Sequence, residues 1–268
     1  MIDGLNFSNY RRFFAFGCSF TRYWWPTWAD LIAQEIPESY NYGLCGAGNH
    51  YIFNSVIYAH QKFKFNQDDL IIIMWTNVMR EDRYIRGSWL VPGNIYTQNT
   101  YDENFMKYVD PRGFLIRDLA YMSAIDTVLA SSGCHYDHLS ILPVLNIENF
   151  DFDITGDLDL TCNFQNLLVK FKPSMHTTMY KSDWTKSLNL IPNVKTKLPH
   201  QKQISIDYHP HTQTHFDYLE KIYGHLKWSV KTLDYLDHIN KQLEELVEDN
   251  IGGTTSPTHS AIPLLGNT

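Results

Sequence analysis

Along the chain, runs of apolar residues alternate with stretches of helical periodicity. Arg12 to Phe16 is a short, mostly apolar run that stops at Gly17, which predicts a first strand opening into a loop. Trp28, Leu31, Ile32 and Ile36 fall on one face of a helix, with Pro26 and Thr27 suited to its start and Pro37 just past its end. Tyr40 to Tyr42 reads as a brief strand and His50 to Phe63 as a second helix. Asp69 to Trp75 contains three consecutive isoleucines, the pattern of a central strand covered on both faces. A helix from Phe114 to Ser131 follows, then a strand from Leu139 to Leu145 whose second half Pro143 weakens. Thr212 to Trp228 and Thr232 to Val247 are again helical.

Strands that alternate with helices predict an α/β fold with a central parallel sheet and helices on both faces. Residues 147–203 lack clear periodicity and read as an irregular insertion covering one end of the sheet, inside a single domain spanning 1–248. The segment 249–268, rich in small and turn residues, reads as a flexible tail.

Composition narrows the partners. Of 268 residues, 44% are hydrophobic and 19% charged, enough apolar matter for a large core. The net charge of −7 opposes a nucleic-acid partner, whose phosphates demand Lys and Arg. No apolar run is long enough for a signal peptide or a membrane span, so a soluble protein folded in a cytoplasm is expected. Cys18, Cys45, Cys134 and Cys162 form no CxxC pair and are expected to be reduced. Aromatic residues reach 15%, and Tyr23, Trp24, Trp25 and Trp28 crowd one segment. They suit core packing first and a sugar-stacking platform second.

Parallel sheets place ligands beyond the carboxyl ends of their strands, which directs attention to four segments. Ser19, in Gly17-Cys18-Ser19-Phe20-Thr21, offers a hydroxyl just past the first strand. Gly46, in the glycine-rich run from Asn41 to Asn49, allows close backbone approach, although the spacing is not that of a dinucleotide fingerprint. Asn77 supplies an amide immediately after the buried run. Asp207 and His209, ahead of a helix, combine a carboxylate with an imidazole. Each alone also fits a cap or a turn.

Taken in order, these segments resemble the SGNH hydrolases, the GDSL esterase/lipase family. Gly17, Ser19 and Thr21 match its GDSxT block, with Cys18 in place of the aspartate. Asn41, Gly43, Gly46 and Asn49 match NxGxxGxxN. Asn77 stands for the asparagine of GxND, without that block's glycine or aspartate. Asp207-Tyr208-His209-Pro210 resembles DxxHP shortened by one residue. The resemblance covers about residues 13–78 and 207–223.

The resemblance implies a flavodoxin-like three-layer sandwich and a serine hydrolase that cleaves an O-acyl ester, with an acetylated carbohydrate as the favoured substrate. Ser19 would be the nucleophile, His209 the base and Asp207 its acid. The Ser19 N–H, the Gly46 N–H and the Asn77 amide would form the oxyanion hole. Trp24, Trp25 and Arg80 are the candidate substrate contacts, although Arg80, Glu81, Asp82 and Arg83 first read as a solvated charged face. No cofactor is implied. An inactive carbohydrate-binding or structural module and an O-acyltransferase remain alternatives. His209, His211 and His215 have a metal-like spacing but lack the glutamate of HExxH, so metal ranks below the serine. The insertion and tail are compatible with a phage or bacterial accessory protein.

Overall fold

Five of the six residues of β1 (Arg12–Gly17) are buried, as are all seven of β3 (Asp69–Trp75). A strand buried this fully must have neighbours on both edges and layers on both faces. The structure, a computed structural model, describes residues 5–96, 101–145, 158–180, 194–196, 205–207, 209–224 and 226–251. In it β1 and β3 pair in parallel, Arg12 opposite Asp69 and Phe16 opposite Ile73. β2 (Glu38–Gly43) flanks β1 and β6 (His135–Ser140) flanks β3, both in parallel, giving the order β2-β1-β3-β6.

Alternation along the two central strands separates two cores. Phe14, Phe16, Ile71, Ile73 and Trp75 point to one face, where they meet Ile52 and Val56 of α2 (Asn49–Phe63) and Leu119 and Met122 of α4 (Pro111–Ser132). Phe13, Ala15, Leu70, Ile72 and Met74 point to the other, against Trp28 and Ile32 of α1 (Trp28–Ile32) and Tyr218 and Leu219 of α7 (Thr212–Tyr223). The result is the three-layer α/β arrangement expected. At the amino ends of the central strands, Arg12 donates twice to Asp69, at 2.6 and 2.7 Å. That pairing keeps this buried carboxylate satisfied and fixes the register of β1 on β3.

Several boundaries differ from the sequence reading. α1 ends at Ile32, short of Ile36. β6 begins four residues before Leu139 and ends before the second half of the apolar run, because an edge strand tolerates an exposed polar start. Gly224 at φ 66° closes α7 before Trp228. A hairpin of β4 (Arg83–Ile85) and β5 (Ser88–Leu90) and the short α3 (Glu103–Met106) lie in the polar, aromatic stretch after β3.

The span read as irregular contains α5 (Leu158–Leu168) and α6 (Met175–Tyr180), and Leu167 and Met175 are buried in the two cores. β7 (Val194–Thr196) and β8 (Ser205–Asp207) pair antiparallel. α8 (Val230–Ile251) runs past the predicted end at Val247, and the rest of the predicted tail lies outside the described residues. No helix among the described residues is long and apolar enough to cross a membrane.

Candidate active site

Strand order reverses direction between β1 and β3, and their carboxyl ends carry Ser19 and Asn77. After Gly17 the chain turns sharply, the N–H groups of Thr21 and Arg22 both donating to the Cys18 carbonyl. A Cβ at Gly17 would collide with the Thr21 side chain, so this turn admits only glycine there. From β2, Asn41 fixes the turn: its Nδ2 donates to the Thr21 carbonyl at 2.9 Å while its Oδ1 accepts from the Gly43 N–H. Cys18 is fully buried, and Ser19 is 6% exposed with its hydroxyl 3.9 Å from the Cys18 sulfur.

The histidine arrives from the far end of the chain. His209 Nε2 lies 2.8 Å from Ser19 Oγ, across 190 residues of sequence. At this distance the hydroxyl can donate to an imidazole whose proton sits on Nδ1. The loops are fastened to each other beside this contact. The buried Trp25 indole N–H donates to the Pro210 carbonyl at 2.8 Å, and Thr212 Oγ1 donates to the Pro26 carbonyl at 2.8 Å. Asp207 ends β8, two residues before His209, and its side chain lies outside the described residues.

The glycine-rich loop is held equally firmly. The Leu44 N–H donates to the Gly17 carbonyl, extending the β1–β2 ladder, and the Ala47 N–H closes a turn onto the Leu44 carbonyl. Gly46 sits in that turn at φ 82°, where a Cβ would strike the Val91 carbonyl oxygen. Beyond β3, Asn77 Oδ1 accepts from the Met79 N–H at 2.6 Å. That turn uses the acceptor of the amide, and Nδ2 has no partner among the described residues. The Thr76 backbone just before it is bracketed by the buried Asn49, which accepts from the Thr76 N–H and donates to its carbonyl.

Other predicted site residues fall differently. Trp25 is 2% exposed and is committed to Pro210, so it is a clamp between loops rather than a substrate platform. Trp24 is 41% exposed, and Trp28 is fully buried. Arg80 donates to the Ala47 carbonyl at 2.7 Å, bracing the glycine-rich loop.

Within residues 80–83, Asp82 departs from the charged-face reading: it is buried and accepts from the Gly48 and Tyr51 N–H groups, capping α2, while the exposed Arg83 pairs with Glu81 at 3.9 Å. Burial pushes the Asp82 carboxyl up, against the pull of those hydrogen bonds. His215 is deeply buried with its ring edge on Phe20, and burial brings it down to about 3. It therefore stays neutral, and among the described residues no three His, Cys, Asp or Glu side chains converge as metal ligands would.

A buried polar chain behind Asn77 escaped the sequence reading. Asn49 Nδ2 donates to Asp118 at 2.7 Å, Arg117 donates to Asp118 at 2.8 Å, and Arg117 also donates to Glu81 at 2.7 Å. Burial raises the Asp118 carboxyl to about 6 although Arg117 opposes it. Its signal was available: Asp118 interrupts the apolar stripe of Leu115, Leu119 and Met122, and a carboxylate on a buried helix face requires a partner.

No protein-family model matches the chain, and no curated protein matches it. Its overall trace is similar to several solved structures at low identity. A proposed acylhydrolase from Bacteroides fragilis shares 13% identity at a TM-score of 0.42, over 87% of this chain and 88% of that one. A member of the lipolytic protein G-D-S-L family from Veillonella parvula shares 12% at 0.42, over 78% and 94%. A GDSL-like lipase from Bacteroides thetaiotaomicron shares 12% at 0.36, over 91% and 92%.

Proposed function

We propose that the chain is a serine ester hydrolase of the SGNH type, acting on an O-acyl ester. The observation that carries this reading is the 2.8 Å approach of His209 Nε2 to Ser19 Oγ. A serine and an imidazole at hydrogen-bonding distance, where the central strands end, form the minimal nucleophile and base of acyl transfer.

In the first step the Ser19 hydroxyl proton passes to His209 Nε2 as Oγ bonds to the ester carbonyl carbon. The carbonyl π pair moves onto oxygen. Collapse of this tetrahedral species breaks the ester C–O bond, and the leaving alcohol takes the proton from His209. Water then attacks the acyl-serine with His209 again as base, releasing the acid and restoring Ser19. Donors for the oxyanion would come from the Ser19 and Gly46 N–H groups and from Asn77 Nδ2, whose amide is oriented by its bond to Met79. Asp207, close in sequence to His209, is the proposed partner of its Nδ1. No step needs a cofactor.

The exposed indole of Trp24, close in sequence to Ser19, favours an acylated sugar as the alcohol component. Turnover of p-nitrophenyl acetate by the wild type, Ser19→Ala and His209→Ala tests the mechanism, with fluorophosphonate labelling as a second readout. Activity and labelling that vanish in Ser19→Ala support it. A wild type inactive on this ester and on acetylated glycans, with Ser19 unlabelled, would sink it.

A further inference from the structure

Beyond nucleophile and base, we propose that Tyr23 is a positioning residue of the same site, holding the His209 imidazole by a face-to-face stack and cradling the cation formed when His209 takes the serine proton. This inference rests on the hydrolase reading for its catalytic consequence, while the stack itself does not.

The Tyr23 and His209 rings lie 3.8 Å apart between centroids and 18° from parallel. Phe20 flanks the imidazole at 5.4 Å, so aromatic rings from the nucleophile loop contact it at two places. Tyr23 is itself immobilised. It meets Trp25 edge-on at 4.7 Å, and Tyr23 and Trp25 together pack on Ile239 and Leu243 of α8. Trp25 in turn holds the Pro210 carbonyl, the residue after His209. The half-buried imidazole is thus backed in turn by the phenol ring, the edge-on indole and the helix.

Stacking fixes a ring plane, and with it the direction of the Nε2 lone pair. A carboxylate partner does this by hydrogen bonding at Nδ1, and stacking does it without that bond. The face of an aromatic ring also attracts positive charge, and this attraction exists only once the imidazole is protonated. The interaction therefore strengthens on going to the transition state and acts on kcat rather than on substrate binding. Here Asp207 and His209 are separated by only one residue. The stack fixes the ring plane beside the proposed contact of Asp207 at Nδ1.

The test uses the full chain. Proton resonances of the His209 ring, assigned by their loss in His209→Ala, should lie upfield in the wild type through the ring current of Tyr23. They should stay upfield in Tyr23→Phe and move downfield in Tyr23→Leu. On p-nitrophenyl acetate, Tyr23→Leu should lower kcat about tenfold with KM little changed, and Tyr23→Phe should restore it.

Wild-type resonances at the positions of an unstacked imidazole would overturn the proposal, whether or not Tyr23→Leu folds. So would a Tyr23→Leu that keeps full kcat, or one in which only KM and thermal stability change. If instead Ser19→Ala and His209→Ala keep full turnover, the hydrolase reading fails, and the resonances still report the stack.

Discussion

Asn49 and Asp118, 69 residues apart, are joined by a buried hydrogen bond of 2.7 Å in which the Asn49 amide donates to the carboxylate. The same amide group brackets the Thr76 backbone, so α4 reaches the proposed oxyanion donor Asn77 through a single side chain. Asp118→Ala should lower kcat through a misplaced Asn77 and cost about 1 to 3 kcal/mol of stability by stranding the Asn49 and Arg117 donors. Asp118→Asn, which can still accept from Asn49, should recover most of the activity. Chemical denaturation and initial rates on the two variants check this, and equal activity losses would argue against positioning by the acceptor.

Asn77 can be tested without disturbing its turn. Asn77→Asp keeps an oxygen for the Met79 N–H but removes the Nδ2 donor. The expected outcome is a fall in kcat of about 100- to 1000-fold, the range for loss of one oxyanion-hole donor, with the melting temperature nearly unchanged. An Asn77→Asp variant with wild-type kcat would remove Asn77 from the mechanism.

Gly46→Ala should be damaging in both stability and turnover. Its φ of 82° disfavours any side chain, by roughly 1 to 2 kcal/mol, and the added Cβ also meets the Val91 carbonyl. Thermal melting shows the first effect and esterase rate the second.

The two neighbouring indoles should separate cleanly. Trp25→Ala removes a buried ring and the clamp on Pro210, and should destabilise by about 3 to 5 kcal/mol with loss of activity. Trp24→Ala should raise KM on acetylated glycans and lower the melting temperature less than Trp25→Ala does. Unchanged KM on every glycan ester would exclude Trp24 as a sugar platform.

Stability should carry a signature of Asp30, the buried carboxyl that completes the capping box of α1 and that burial raises to about 6. Because its folded value exceeds the ordinary 3.8, the fold binds this proton more tightly than the unfolded chain does. Its contribution is fully present below about pH 4 and is lost as pH rises through 6, by at most about 3 kcal/mol. Asp30→Asn should flatten that slope in urea denaturation measured between pH 4 and 7. An unchanged slope would assign the pH dependence elsewhere.

What the sequence determined by itself was the part written in local pattern. The isoleucine run of Asp69–Trp75, the apolar stop at Gly17 and the helical stripes placed the central strands, their crossover helices and hence the carboxyl end of the sheet, where the candidate site lies. Periodicity and spacing singled out Ser19, Asn77 and His209 as chemistry, and only the family resemblance implied that they act in one site. The meeting of Ser19 and His209 was decided only by the tertiary structure, since 190 residues of chain must close before either side chain has the other as a neighbour. For the same reason the indole of Trp25 became a clamp, Asp82 became a cap for α2, and Asp118 became a partner of Asn49. Those roles depend on which donors and acceptors burial brings within 3 Å of one another, and periodicity along the chain carries no record of that distance.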